Sequence, residues 1–230
     1  MRVDLLTLFP GMFAGPFDES MIKRAKEKGI LDIRIIDIRD FSKDKHRRVD
    51  DRPYGGGPGM VMMAQPIIDA IRSVREEASI VIYMSPQGKQ LTASLAKELA
   101  QIKHLIVLCG HYEGIDQRVI DLEVDQEVSI GDYVLTNGAL PAMVMLEAVF
   151  RFVPQVLGHE EAAQRDSFEG EGLFDHPHYT MPVEFEGIKV PQVLLGGHHA
   201  KIEAWRKEKA EEKTKKVRPD LWEKFKKEFC

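Results

Sequence analysis

The chain has 230 residues, 43% hydrophobic and 30% charged, the composition of an ordinary globular protein, which excludes a disulfide scaffold, a collagen-like fibre and a wholly disordered polymer. Its 32 basic and 37 acidic residues leave a net charge of −5, which argues against a nucleic-acid-binding surface spread over the whole body. The charge is uneven: residues 201–230 carry 11 Lys or Arg against 7 Asp or Glu, a net of +4, so the first 200 residues carry −9. A basic tail on an acidic body is the pattern of a polyanion-binding appendage, and a solvated mixed-charge helix accounts for the same composition.

In chain order, β-branched and apolar runs predict strands at 3–9, 33–38, 80–84 and 105–109. Between them lie helical segments: 17–28, closed by Gly29; 67–77, opened after Pro66; 95–102, with Thr92 as N-cap; and 142–152, opened by Pro141 and stopped by Pro154. The runs at 80–84 and 105–109 are nearly continuous, the signature of strands buried on both faces. Strand–helix alternation of this kind predicts an α/β fold, a parallel sheet with helices on both faces. Residues 158–172 are rich in glycine and acids and read as a linker. A long charged helix follows at about 199–216, and Pro219 opens a short one with Leu221, Trp222 and Phe225 on its apolar face. The expected division is a domain at 1–157, a linker at 158–172 and a small helical domain at 173–230.

The two cysteines are Cys109, inside an apolar run, and Cys230, the last residue; with no CxxC they suggest neither a zinc site nor a redox pair and suit a reducing cytosol. The short apolar stretch before Pro10 is unlike a signal peptide, and no run approaches the ~18–20 apolar residues of a membrane span, so a cytoplasmic protein off the membrane is expected.

Three Gly/Pro-containing turns follow apolar runs: 85–88 (SPQG), 110–114 (GHYEG) and 130–138 (IGDYVLTNG). In open α/β sheets, ligands bind where such turns converge at the carboxyl ends of strands, and glycine lets the main chain come close; three ordinary connections would look the same. Residues 55–60 read GGGPGM, so GxGxxG fails, and neither GxxxxGK nor GxSxG occurs; dinucleotide, P-loop and α/β-hydrolase sites are disfavoured. His176 and His178 flank Pro177 as a candidate metal pair, but with no third ligand at usable spacing they read as structural or RNA-facing. Residues 44–60 combine Lys45, Arg47, Arg48 and Arg52 with four glycines in five residues, which suits a loop closing over a phosphate backbone, or an exposed flexible loop.

Taken together, DDRPYGGGPGM (50–60), SPQG (85–88), CGHYEGIDQR (109–118), SIGDYVLTNGALPAM (129–143), RFVP (151–154), DSF (166–168), HPHYTMP (176–182) and GGHH (196–199) resemble the bacterial tRNA (guanine-N1)-methyltransferases of the SPOUT superfamily, in order and over essentially the whole chain. The resemblance implies a trefoil knot in the N-terminal domain, an obligate homodimer whose active site spans both subunits, and methylation of guanosine 37 beside the anticodon. It implies S-adenosylmethionine as cofactor, with Mg2+ as a further candidate and no metal ligand assigned. Carried over by position, the cofactor would meet Tyr83, Ser85 and Pro86 from the first turn and Gly110, Tyr112 and Glu113 from the second. From the third segment it would meet Ile130, Gly131, Asp132, Tyr133, Val134, Leu135, Gly138 and Pro141. The residues implied to meet tRNA are His46, Arg47, Asp50, Arg52, Tyr54 and Gly59, with Ser167 and His178 near the C-terminus. Asp166 falls on the family's catalytic aspartate and Arg151 on its catalytic arginine.

That pair makes chemical sense. Guanine N1 is a poor nucleophile until its proton leaves, and Asp166 would accept that proton as general base. Arg151 would donate to O6 and stabilise the charge developing on the ring. Without the resemblance, Asp166 reads as a solvated acid in a linker. His111, Asn137 and Ala139 stand where the family commonly has Arg, Gly and an acid. Rival readings are a SPOUT enzyme with another RNA target, a noncatalytic RNA-binding protein and a nucleotide-dependent oxidoreductase.

Overall fold

The computed structural model describes residues 1–157 and 166–229, and the chain divides into two compact units, Met1–Gly158 and His159–Cys230. In the first unit the elements run β1 (Arg2–Thr7), α1 (Ser20–Glu27), β2 (Asp32–Asp37), β3 (Asp50–Asp51), β4 (Val61–Met62), α2 (Ala64–Val74), β5 (Ser79–Gln90), α3 (Ala93–Leu99), β6 (His104–Cys109), α4 (Gln117–Glu123), β7 (Gln126–Ser129) and α5 (Ala139–Phe150). Strands β2-β1-β6-β5-β7 form one sheet, parallel at every pairing, and β3 and β4 make a separate antiparallel pair.

Alternation along the central strands sends side chains to two cores. Val3, Leu5, Ile82, Met84, Leu105 and Val107 face one way, onto α1, α3 and α5; Leu6, Val81, Tyr83, Ile106 and Leu108 face the other, onto α2 and α4. All six residues of β6 are buried, as expected of a strand covered on both faces. At the amino ends of the strands lies a buried polar chain: the Ser79 hydroxyl meets His104 Nδ1 at 2.7 Å, and His104 Nε2 meets Asp4 Oδ2 at 2.7 Å, while Asp4 Oδ1 is buried without a hydrogen-bond partner.

Four elements of the first unit were not expected from sequence: α4, β7 at the sheet edge, and the short strands β3 and β4. Helices α2 and α5 begin at Ala64 and Ala139, so Pro66 and Pro141 are each the third residue of their helix rather than its opener. The first-turn N–H groups have no partner inside a helix, so proline fits there equally well. Thr92 caps α3, accepting from the Leu95 N–H at 3.2 Å, and Gly29 follows α1 at φ +69°.

The second unit holds β8 (Glu184–Phe185) paired antiparallel with β9 (Ile188–Lys189), then α6 (Gln192–Leu195), α7 (His199–Val217) and α8 (Pro219–Phe229). Thr214 on α7 is fully buried; its hydroxyl accepts from the Phe174 N–H at 2.9 Å and donates to the Ala210 carbonyl at 2.8 Å. On α8 the buried Phe225 ring lies 5.3 Å from Trp222. Of the segment read as a linker, residues 158–165 lie outside the described residues, as does Cys230. Residues 166–172 pack within the second unit, the Phe168 N–H donating to the Leu173 carbonyl at 2.8 Å and the Asp175 N–H to Ser167 Oγ at 2.9 Å. Among the described residues, no helix is long and apolar enough to cross a membrane.

Candidate active site

A cleft of about 640 Å3, its open mouth included, lies at the carboxyl ends of β5, β6 and β7. Its first wall is extruded from β5: Met84 and Lys89 both pair with Val128 of β7, so Ser85–Gly88 bulge out while the strand continues beyond them. A Cβ on Gly88 would overlap the main chain at Glu127 and Val128, so only glycine returns the bulge to the sheet.

The second wall is the turn after β6. Tyr112 sits in the left-handed region at φ +59°, and Gly114 closes the turn with its N–H on the His111 carbonyl at 3.1 Å. Tyr83 of β5 stands beneath: a Cβ on Gly110 would lie 2.9 Å from its ring, and the Ile115 N–H hydrogen-bonds its hydroxyl. Burial, then the charge of Glu127, push the Tyr83 phenol up to about 12, the Ile115 N–H opposing them. Burial likewise pushes the Cys109 thiol up, so this cysteine at the end of β6 is an inert packing group.

The third wall runs from Ile130 to Gly138, just before α5. The Ser129 hydroxyl accepts from the Gly131 N–H at 3.2 Å and donates to its carbonyl at 3.1 Å. The Gly138 N–H donates to the Gly110 carbonyl at 2.8 Å, and His111 pairs with Asn137 in an antiparallel bridge, so second and third walls are hydrogen-bonded together.

Of the cofactor residues expected from sequence, Tyr83, Ser85, Pro86, Gly110, Tyr112 and Glu113 line this cleft. So do Ile130, Gly131, Tyr133, Val134, Leu135, Gly138 and Pro141. Asp132 does not: it is exposed and outside the lining, because the backbone between Gly131 and Tyr133 folds back with the Tyr133 N–H on the Gly131 carbonyl at 2.9 Å. Met84, His111, Gly114, Val128, Ser129, Thr136 and Asn137 also line it; His111, Gly114, Thr136 and Asn137 fall inside the turns read as ligand-binding without being singled out, and Met84, Val128 and Ser129 lie outside them. Gly114 and Ser129 were legible as turn neighbours of glycines already chosen; the others carry no separate signal.

The glycine-rich loop at 52–60 is anchored at the cleft. The Glu113 N–H donates to the Met60 carbonyl at 3.1 Å and the Met62 N–H to the Gly114 carbonyl at 3.0 Å, and a Cβ on Gly59 would strike the Glu113 carboxylate. His46, Arg47, Arg52 and Tyr54 are exposed, Tyr54 completely, and Asp50 is half-buried in β3. Arg47 is paired with Asp40 and lies 3.8 Å from Asp37, so a phosphate would compete with two carboxylates for it.

Arg151 is the exposed C-cap residue of α5. In the second unit Asp166 is half-buried at the start of a turn, its carbonyl accepting from the Glu169 N–H at 3.2 Å; Ser167 follows, and the exposed His178 bonds Asp175 at 2.8 Å. Asp175, immediately before the histidine pair in the chain, brings a carboxylate oxygen within 4.8 Å of an imidazole nitrogen of each, a neighbour not weighed from the sequence alone. Hydrogen bonds from His178 and the His176 N–H hold the Asp175 carboxyl below its ordinary value, outweighing burial, the largest single influence, which raises it.

The family model for tRNA (guanine-1)-methyltransferase TrmD matches residues 1–224. The chain belongs to the tRNA (guanine-N1)-methyltransferase family. The curated tRNA (guanine-N(1)-)-methyltransferase of Protochlamydia amoebophila is 63% identical over 221 residues, covering 96% of this chain and 99% of that protein. The same-named protein of Chlamydia pneumoniae is 55% identical over 222 residues, where the match covers 96% of this chain and 61% of the relative. That of Ruminiclostridium cellulolyticum is 52% identical over 228 residues, covering 98% and 97%. At Gly110, Gly131 and Gly138 a Cβ would lie within 3 Å of the Tyr83 ring, the Tyr133 ring and the Cys109 main chain, so glycine is what lets the walls of the cleft pack this closely.

Proposed function

We propose that this chain is a cytoplasmic, homodimeric enzyme that transfers a methyl group from S-adenosylmethionine to N1 of guanosine 37 in tRNA. Family membership over residues 1–224 carries the reaction class, and the three-walled cleft is the observation that supports a cofactor site there. S-adenosylmethionine, when bound, supplies an electrophilic methyl group on a sulfonium.

The chain's own residues do the rest. Backbone around Gly110, Gly131 and Gly138 lies close around the cofactor, and Tyr83 holds the floor of the second wall. Asp166 accepts the proton leaving guanine N1, so that the N1 lone pair is free to take the methyl group. Arg151 donates a hydrogen bond to O6, where negative charge gathers as the proton leaves. Positioning methyl and nitrogen in line is the remaining task.

A trefoil knot in the first unit belongs to this reading. In its support, the segment after β7 returns to bond Gly110 and His111, while 60–62 and 113–116 are laced by three main-chain hydrogen bonds. The homodimer is supported by α5, on which Leu140 and Val144, one turn apart, are half-exposed apolar residues of the kind a second copy covers. The domain limits 1–157 and 173–230 are retained as working boundaries, with tRNA binding assigned to the exposed loop at 44–60, to Ser167 and His178, and to the basic helix α7. Mg2+ is included as a companion ion, tested by omitting it from the assay.

The deciding experiment is methylation of unmodified tRNA carrying guanosine at 36 and 37, with a labelled methyl donor and analysis of the product nucleoside. The expected product is 1-methylguanosine at 37, lost in Asp166→Ala and Arg151→Ala while S-adenosylmethionine affinity stays within about twofold. Full turnover by Asp166→Ala removes the assigned base.

A further inference from the structure

In the second unit, Asp175, His176 and His178 bring one carboxylate oxygen and two imidazole nitrogens within 4.8 Å of one another. His178 Nε2 lies 2.8 Å from Asp175 Oδ2, and His176 Nε2 lies 3.7 Å from Asp175 Oδ1. His176 Nδ1 is 3.2 Å from the Pro177 carbonyl. A carbonyl only accepts, so Nδ1 donates to it, which leaves Nε2 facing the carboxylate.

The spacing suits an ion. Zinc binds imidazole nitrogen and carboxylate oxygen at about 2.0–2.2 Å, which in a tetrahedral shell sets the donors roughly 3.3 Å apart. The 3.7 Å separation from His176 is near that value, and His178 would exchange its 2.8 Å hydrogen bond to Asp175 for a bond to the ion. The Nδ1–carbonyl bond is the outer support that metal-bound histidines use to fix ring and tautomer. Two imidazoles and one carboxylate select borderline metals over Mg2+, which prefers oxygen donors.

We propose that Asp175, His176 and His178 form a binding site for a divalent transition metal of the zinc class, with water completing its shell. The ion would act as a brace. The Asp175 N–H holds Ser167 Oγ at 2.9 Å, and the Phe168 N–H holds the Leu173 carbonyl at 2.8 Å, so fixing Asp175 also fixes the turn that begins at Asp166. The rival reading is an ordinary hydrogen-bonded cluster of the three side chains with no ion.

Calorimetry on the tag-free, chelator-stripped full chain tests this, with ZnCl2 and MgCl2 as titrants and without tRNA or methyl donor, so the result is independent of the methyltransferase reading. Zn2+ should bind one ion per chain, at least tenfold more tightly than in His176→Phe or Asp175→Asn, and Mg2+ should give no heat at this site. Absence of Zn2+ binding, or equal binding in wild type and both variants, overturns the site. Should the variants fail to fold by circular dichroism, X-ray absorption on the zinc-loaded wild type decides: two imidazoles in the zinc shell support the site, and fewer overturn it.

Discussion

Gly138→Ala isolates the contact that joins two walls of the cleft. Gly138 has an ordinary φ of −82°, so alanine meets no backbone strain there and the substitution reports on space alone. The new Cβ would lie 2.9 Å from Cys109 Cα and 3.0 Å from Gly110 N. Both atoms belong to main chain at the end of β6, which is held between β1 and β5 and cannot swing aside. The 2.8 Å bond from the Gly138 N–H to the Gly110 carbonyl must lengthen instead. Overpacking of this kind costs about 1–3 kcal/mol. Because the displaced segments are opposite walls of one cleft, the cost should fall on S-adenosylmethionine affinity, a roughly 5- to 150-fold rise in Kd. Calorimetry beside thermal unfolding measures both effects. Gly11→Ala is the control, since nothing lies within 4 Å of its Cβ. A Gly138→Ala protein with wild-type Kd and unchanged Tm would refute the argument that this contact sets the cleft.

Glu123, buried beneath Arg72 at 2.6 Å and Arg75 at 2.9 Å, is expected to lose about 1–3 kcal/mol of stability as Glu123→Gln, read from urea unfolding; an unchanged midpoint means the pairs contribute nothing. Tyr83, raised from 10.0 to about 12, favours the folded state most below pH 10, and that contribution should be lost as pH rises through about 12. The difference amounts to up to about 3 kcal/mol, and Tyr83→Phe should flatten the alkaline limb of the stability–pH curve; a parallel limb rejects the assignment. If the active site crosses the dimer, a heterodimer of Asp166→Ala with Gly131→Val subunits keeps one composite site with base and cofactor and should be active. An inactive heterodimer, with both chains folded and paired, refutes the shared site.

The parts of the fold that the sequence made legible are those where burial is complete. The run 105–109 reads as a strand because β6 is covered on both faces and every residue must be apolar or sequestered. Strand β7 was invisible for the opposite reason: it lies at the sheet edge, is four residues long and exposes Gln126, so it forms no apolar run. Helix α4 buries only Val119 and Glu123 and shows too little of a stripe to read. In the cleft, the glycine turns were visible because they punctuate the strands, whereas Thr136 and Asn137 line it as ordinary polar loop residues. Asp175 escaped notice for a further reason: a carboxylate adjacent in sequence to His176 matches no recognised metal-ligand spacing.

The double pairing of Val128 with Met84 and with Lys89 separates the length of the first wall from the integrity of the sheet. Ser85–Gly88 hang between two anchor points on the same neighbouring strand, like slack in a seam stitched on either side. Residues added or removed between Ser85 and Gln87 would change how far this flap leans over the cleft without moving a ladder hydrogen bond, provided the glycine at its foot remains. Cleft breadth is thereby a quantity that loop engineering can alter one residue at a time on an otherwise fixed scaffold.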